Sequence, residues 1–268
     1  MTELQETEFE ILVEFDRVCR RLELPYFLVC GSALGAVKYG GFIPWDDDID
    51  VALYREDYEE FLRKAPRLLP EHLFLQNWRT DPAYPQIGSK LRNSRTTYLE
   101  TSAAPLPINH GVFIDIFPMD GYPRAKPAGQ IFELRKRLYA AMLQSGCEYP
   151  RTGLGRLFRQ TCRVLGITKH TDRVAARYER MITRYPVRRE GLVCNHANWQ
   201  GKLDYSPYNH FGPGAPARFE GLAVRVPAQY RAYLTQKYGD YTLDPPEEQR
   251  VGHHYCTACD CRRPYTEQ

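Results

Sequence analysis

The feature that most constrains this 268-residue sequence is the run DDDID at residues 46–50, four carboxylates within five positions, joined to an apolar stretch. Two such charges about 4 Å apart repel by roughly 1 kcal/mol in water and roughly 4 kcal/mol near a protein surface. A fold that orders them must therefore supply cations. The alternation of polar and apolar residues over 48–54 predicts a strand with Asp48 and Asp50 on one face. We expect this pair to bind Mg²⁺, which prefers oxygen ligands.

A further carboxylate stands alone in an apolar segment. Asp115 is the only charged residue in GVFIDIFP, residues 111–118, and the pattern over 112–117 predicts a strand. A buried carboxylate is costly unless it is paired or coordinated. If this strand lies beside the Asp48–Asp50 strand, three carboxylates converge on one pocket. Two of them would hold ions on phosphates, and the third would help to bind one ion and activate the attacking hydroxyl.

Phosphate-binding candidates lie on both sides of the acidic run. The apolar residues 26–30 predict a buried strand, after which Gly31 and Ser32 open a short helix with Ser32 as its N-cap. Glycine lets the backbone approach a phosphate, and the amides at a helix start bind its charge. Lys90 and Arg92 follow a proline-containing loop and are further candidate phosphate ligands.

The remaining sequence predicts helices over 3–24, 55–64 and 228–238 and strands over 73–76 and 219–226. Residues 127–186 predict an Arg-rich helical stretch, and the tail from residue 240 is predicted to be irregular. Together these elements predict an α/β (α+β) fold. We predict a catalytic core with a mixed sheet over 1–122, a helical insertion over 123–190, and a C-terminal segment over 191–268 that packs on the core.

Composition limits the location and the partners. The N-terminus is acidic where a signal peptide is basic, and no run approaches ~18 apolar residues, so we expect a cytoplasmic protein. Between Arg124 and Arg189 there are 16 Lys or Arg residues against 4 acids. This stretch could face anionic lipid, a phosphorylated substrate or nucleic acid, or it could form only solvated helix faces.

The tail carries ligand types at spacings that zinc sites use. His253, Cys256, Cys259 and Cys261 are close in sequence, but only one CxxC pair is present. We predict reduced thiols here and keep a Zn²⁺ site as the alternative.

Three segments resemble the LicD/fukutin family. Residues 30–50, CGSALGAVKYGGFIPWDDDID, carry the match, and IPWDDDID is its most specific part. GVFIDIFPMD at 111–120 resembles the strand with the third carboxylate of the family. YGDYTLDPPEEQRVGHH at 238–254 resembles its C-terminal signature. The resemblance extends from about residue 8 to residue 254 and leaves the Arg-rich middle unmatched.

The resemblance implies a nucleotidyltransferase-type fold and metal-dependent transfer of a phospho-group from a CDP-activated donor to a glycan. The group would be phosphocholine or ribitol phosphate, and the acceptor a precursor of lipopolysaccharide or teichoic acid, free or lipid-linked. We expect no nucleic-acid partner. The charge of the basic middle segment, rather than the resemblance, adds the expectation of a peripheral contact with the inner membrane face.

The resemblance also implies roles for individual residues. Gly31 and Ser32 would bind phosphate, and the Asp48, Asp50 and Asp115 carboxylates would bind Mg²⁺ or Mn²⁺. Lys38 stands where the family more often has Arg, so a point charge replaces a bidentate fork.

Choline would favour an aromatic cage, because aromatic rings attract a quaternary ammonium. Tyr39, Trp45, Trp78 and Trp199 are the candidate ring residues.

Other functions remain open at this stage. A nucleotidyltransferase that moves NMP from an NTP to a small molecule would use the same carboxylates. A glycosyltransferase with a DxD motif would not explain Asp115 or the glycine turn. A calcium-binding EF-hand fits the first aspartates, but its sixth position is Val51 and its twelfth Asp57. A non-catalytic metal-binding or scaffold protein would be expected to lose carboxylates that are all present.

Overall fold

The computed structural model describes residues 1–148, 153–197, 201–252 and 255–267, with only the backbone described at 201 and 202. Its helices are α1 Glu3–Leu22, α2 Cys30–Lys38, α3 Arg55–Lys64, α4 Lys126–Leu143, α5 Gly153–Val164, α6 Thr171–Ile182, α7 Tyr208–Phe211 and α8 Tyr230–Tyr238. Its strands are β1 Phe27–Leu28, β2 Asp50–Tyr54, β3 Leu73–Gln76, β4 Ser89–Asn93, β5 Thr97–Glu100, β6 Val112–Gly121, β7 Leu192–Asn195, β8 Tyr205–Pro207, β9 Ala215–Phe219, β10 Leu222–Val226 and β11 Cys256–Asp260.

A mixed sheet forms the centre of the molecule. Its strand order is β1-β2-β6-β4-β3, and β7 pairs with the far end of β6 and then with β8. The β2–β6 pair is parallel, whereas the other pairs of this sheet are antiparallel. Helices pack around this sheet, so the predicted α+β fold with a mixed sheet is confirmed.

The apolar face of the sheet is covered by α1. A capping box between Thr2 and Gln5 begins this helix, and its residues Ile11, Leu12 and Phe15 are buried. They face alternate residues of the strands, such as Ile114, that are 0% exposed. Since side chains alternate along a strand, Asp115 projects from the opposite face of β6.

The Arg-rich segment forms three helices, α4 to α6, as predicted. They bury a second apolar cluster that includes Phe132 and Tyr178. An ion-pair network joins α6 to the sheet: the Arg55 guanidinium donates to both oxygens of Asp120 at 2.8 and 2.6 Å and lies 3.5 Å from Glu179. None of the helices in the described part of the chain combines the length and the apolar character that a bilayer crossing needs.

The C-terminal segment contacts the core at several places. Strands β7 and β8 extend the central sheet. The strand predicted over 219–226 corresponds to β10, which forms a hairpin with β9. The prediction of an irregular tail is wrong at β11, which pairs with β5. The reason is that the sequence CTACD has no apolar alternation, so its pairing partner rather than its pattern makes it a strand. The limits at residues 122 and 190 stay predictions as domain boundaries.

Candidate active site

Two aspartates are brought together by the pairing of parallel strands. Asp50 of β2 lies opposite Asp115 of β6, and Lys90 of β4 lies opposite Asp115 on its other side. Residues that lie opposite one another in a sheet project from the same face. The three side chains therefore form a row across three strands. Asp50 is only 8% exposed and Asp115 only 5%, so their charges need compensation.

Lys90 supplies part of that compensation. Its Nζ donates to Asp115 Oδ2 at 3.1 Å and lies 3.5 Å from Glu100 Oε1. The ammonium also lies 3.2 Å from the centroid of the Phe113 ring. Lys90 is 1% exposed. The Lys90 ammonium is thus part of the carboxylate site. Its contact with a substrate phosphate stays a prediction.

Asp48 completes the group from the loop before β2. The predicted strand start at this residue is wrong, because regular pairing begins only at Asp50. One carboxylate oxygen from each of Asp48, Asp50 and Asp115 nevertheless lies within 4.8 Å of the others. Three hard oxygen donors at this spacing fit Mg²⁺ or Mn²⁺. The expected convergence is present in the geometry, and the metal role of the three residues stays a prediction.

The glycine turn lies against the aspartate loop. A Cβ atom on Gly31 would lie 2.6 Å from Asp46 Oδ2, so a larger residue would require the Asp46 side chain to shift. Ser32 Oγ accepts a hydrogen bond from the Asp50 N–H at 2.8 Å. The prediction that Ser32 caps the helix is wrong: Val29 is the N-cap of α2, and the Ser32 hydroxyl instead holds the first residue of β2.

A buried glutamate beside the aspartates was missed by the sequence analysis. Gln5 Nε2 donates to the Asp46 carbonyl oxygen at 3.0 Å, and Glu8 follows one turn later on the same face of α1. Burial, and then the charges of Asp48 and its neighbours, raise the pKa of Glu8 well above its usual value. A glutamate in an amphipathic helix gives no sequence signal for this position, because most such residues are solvated.

Helix α8 also reaches the site, which its sequence pattern did not indicate. The Tyr233 hydroxyl accepts a hydrogen bond from the Cys30 N–H at 3.0 Å. Lys237 Nζ lies 3.1 Å from Asp204 Oδ1 in a nearly buried pair. Such long-range contacts depend on the tertiary fold alone.

The C-terminal signature packs against the loop between α2 and β2. Asp244 Oδ1 lies 2.5 Å from Lys38 Nζ and also accepts a hydrogen bond from the Tyr39 hydroxyl. The Arg250 guanidinium lies 5.2 Å from the centroid of the Trp45 ring. Because Lys38 is paired with Asp244, its predicted contact with phosphate would require this ion pair to be exchanged.

Arg92 does not have the position that its predicted role requires. It is 0% exposed, and its guanidinium donates to Gln76 Oε1 at 2.5 Å, to the Gly111 carbonyl at 2.7 Å and to Glu100 Oε2 at 2.7 Å. The prediction of a phosphate ligand is therefore corrected: Arg92 holds β4, β3 and the loop before β6 together from within the protein.

The aromatic cage is only partly assembled. The rings of Tyr39 and Trp45 meet edge to face at 6.3 Å between centroids. Trp78 instead packs on the cluster of α4 and α6 and lies under Arg79, 4.6 Å from the guanidinium carbon. Trp199 lies outside the described residues.

The tail cysteines are not gathered as a metal-ligand set in the described part of the chain. There, both groups of three or more close potential ligands consist of aspartates. Cys256, Cys259 and Cys261 are free thiols, and His253 lies outside the described residues.

Comparisons with known proteins identify the family of this chain. A family model described as LicD/FKTN/FKRP, nucleotidyltransferase domain, matches residues 23–139, which include Gly31 and all three carboxylates. The chain is also 30% identical over 254 residues to a Haemophilus influenzae protein named lipopolysaccharide cholinephosphotransferase LicD, with 91% of this chain and 92% of that protein covered. The chain belongs to the LicD/FKTN/FKRP family. The expected LicD-type transferase is thereby confirmed.

A second relative matches a shorter part of the chain. It is 29% identical over 59 residues to an uncharacterized protein of Rickettsia typhi and covers 22% of this chain and 19% of that protein.

Proposed function

We propose that this chain transfers phosphocholine from a CDP-linked donor to a cell-surface glycan precursor, in the cytoplasm and with a divalent metal ion. The observation that carries the proposal is the convergence of Asp48, Asp50 and Asp115 beside the Gly31 turn. The name of the Haemophilus relative, a lipopolysaccharide cholinephosphotransferase aligned over nearly the whole chain, supports the choice of phosphocholine and of a glycan acceptor.

The donor set fits a hard divalent cation. Asp50 and Asp115 are nearly buried carboxylates on a rigid sheet, and Asp48 adds a third oxygen from the loop. Lys90 lies beside the group, with its Nζ 3.1 Å from Asp115 Oδ2. When bound, Mg²⁺ or Mn²⁺ would supply positive charge to the phosphate oxygens of the donor and the leaving group.

Residues of this chain would bind the donor phosphate and accept the proton that the reaction releases. A sugar hydroxyl oxygen attacks the phosphorus atom of phosphocholine, and the bond from that phosphorus to the bridging oxygen breaks. CMP leaves with the electron pair, and Asp115 accepts the proton of the attacking hydroxyl. The amides at the start of α2, after Gly31, would bind phosphate oxygens.

The experiment is a comparison of Asp50→Asn with the wild type, using CDP-choline and a deacylated glycan precursor. We expect release of CMP and transfer of choline phosphate to fall by roughly 10³-fold, because a ligand of the phosphate-bound ion is lost. Asp172→Asn, at the start of the remote helix α6, is the matched control and should keep full activity. Activity in Asp50→Asn at the control level would rule out the metal assignment.

A nucleotidyltransferase reaction is the second candidate, since the matching family model is described by that term. CTP and CDP-choline differ in the group beyond the shared cytidine. If CTP binds and is consumed with an alcohol while CDP-choline is not, NMP transfer replaces phosphocholine transfer.

A further inference from the structure

A stripe of exposed apolar side chains runs along α4. Ile131, Leu134 and Leu138 are 60%, 70% and 48% exposed, and their spacing places them on one face of the helix. Phe132 and Leu143 point the other way and are buried. Single exposed leucines are common, whereas an aligned set is unusual for a surface that faces only water.

A second stripe follows on α5 and the turn after it. Leu154, Leu157, Val164 and Leu165 are 82%, 62%, 80% and 68% exposed. These positions recur at helical spacing on the outer face, whereas Cys162 on the inner face is 2% exposed. Two successive helices thus present leucine-rich outer faces.

The charge around both stripes is mainly positive. Residues 124–165 contain nine Lys or Arg and only two acids, Glu133 and Glu148. Exposed arginines flank each stripe: Arg135 and Arg137 on α4, Arg156 and Arg163 on α5. Long basic side chains beside leucines are typical of helices that lie in the headgroup layer of a membrane.

An open groove of about 1040 Å³ borders the first stripe. Leu134 and Arg137 line it from α4, and Arg124, Lys126 and Arg189 line it from the neighbouring loops, against the acids Glu133 and Glu190. A basic, partly apolar groove of this size suits the phosphate and upper chain of a lipid headgroup.

We propose that the outer faces of α4 and α5 dock this protein on an anionic lipid bilayer. The leucine stripes would enter the headgroup region, and the flanking arginines would bind lipid phosphates. Charge complementarity favours lipid over a second copy of this chain, because two copies would oppose like charges across the interface. The proposal goes beyond phosphocholine transfer and does not depend on it.

The test measures co-sedimentation of the purified full chain with two vesicle types: phosphatidylcholine alone, and phosphatidylcholine with one quarter phosphatidylglycerol. We expect binding to the second type, weakened in high salt because surface charges are screened. Arg135→Gln with Arg156→Gln should weaken binding roughly fivefold per arginine. Leu134→Gln with Leu157→Gln should weaken it at least roughly tenfold, through loss of the apolar contact.

The matched controls carry the same kinds of change at exposed residues outside α4 and α5: Arg21→Gln with Arg67→Gln, and Val13→Gln. They should bind as the wild type does. If the leucine pair lowers the melting temperature, the single change Leu154→Gln, at a residue 82% exposed, replaces it. Equal binding to both vesicle types, equal loss in the controls, or a dimer that dissociates in the leucine variants would overturn the proposal. CDP-choline turnover, measured separately, reports on the proposed chemistry.

Discussion

Asp50 and Asp115 lie opposite each other in a parallel strand pair, and this register places both carboxylates on the same face of the central sheet. Lys90 extends the row from the antiparallel strand on the other side. Two of the three carboxylates of the candidate site therefore lie on the central sheet, and Asp48 comes from a loop. A shift of β2 by one residue would turn Asp50 to the apolar face.

Removal of Asp115 should abolish the stabilisation that a metal ion gives. At a Mg²⁺ concentration of 100 times the Kd, a ligand that binds only the folded chain adds about 2.7 kcal/mol to the free energy of unfolding. We expect the melting temperature of the wild type to rise with MgCl₂, and that of Asp115→Asn to stay constant. Differential scanning calorimetry measures both, with Asp172→Asn as the control. An equal rise in all three proteins would place the bound ion elsewhere.

Gly31→Ala tests the close contact between α2 and the aspartate loop. The added Cβ would lie 2.6 Å from Asp46 Oδ2, so the Asp46 side chain must shift. We expect a loss of about 1–3 kcal/mol in the free energy of unfolding, by steric overpacking, and reduced turnover of the donor.

Gly153→Ala is the matched control, because a Cβ there meets nothing within 4 Å and alanine favours a helix. Urea unfolding compares the two variants. Equal stability of both would contradict the contact.

Much of the fold and the three carboxylates could be predicted from local patterns. The apolar residues around Asp115 indicate a buried strand, and a lone carboxylate there indicates a site. The bounds of α3, Arg55–Lys64, agree with the helical period of its sequence. These predictions succeed because burial on one face leaves a periodic trace in the sequence.

Contacts between distant segments produce no periodic pattern in the sequence, so they were not predicted. The sequence pattern predicts a solvated helix residue at Glu8, yet its side chain is buried and lies within the electrostatic influence of the aspartate loop. The sequence predicted that Arg92 binds phosphate, yet its guanidinium donates hydrogen bonds to Gln76 and Glu100 within the protein. Strand β11 follows from its pairing with β5 rather than from its own composition. In each case the partner, which lies far away in sequence, decides the role.

Arg92→Met should destabilise the protein rather than weaken substrate binding. The change removes the Arg92 donors to Glu100 and Gln76 in a buried setting, and loss of one partner of a buried ion pair costs about 3–5 kcal/mol. Chemical unfolding measures this loss, and the KM for the donor under stabilising conditions should stay near the wild-type value. Exposed Arg135, changed to Met, serves as the control and should alter stability little. A large rise in KM with unchanged stability would restore the phosphate-ligand role.

His196 should make the stability of the protein depend on pH below neutrality. Burial lowers the pKa of this imidazole to about 4, against 6.5 for an ordinary histidine. Between these two values the unfolded chain binds more protons than the folded one, so the contribution is complete above pH 6.5 and is lost as the pH falls towards 4. From pH 7.5 to pH 5 this loss amounts to about 2 kcal/mol.

The His196→Gln variant isolates this contribution, because an amide N–H can still donate to the Gly121 carbonyl that the ring contacts at 3.2 Å. Urea unfolding at pH 7.5 and pH 5 should show a smaller pH effect in this variant than in the wild type, by about 2 kcal/mol. His170→Gln, at an exposed position before α6, should keep the wild-type pH effect. If His196→Gln and the wild type lose the same stability between the two pH values, the ring is not held neutral by burial, and other groups cause the acid sensitivity.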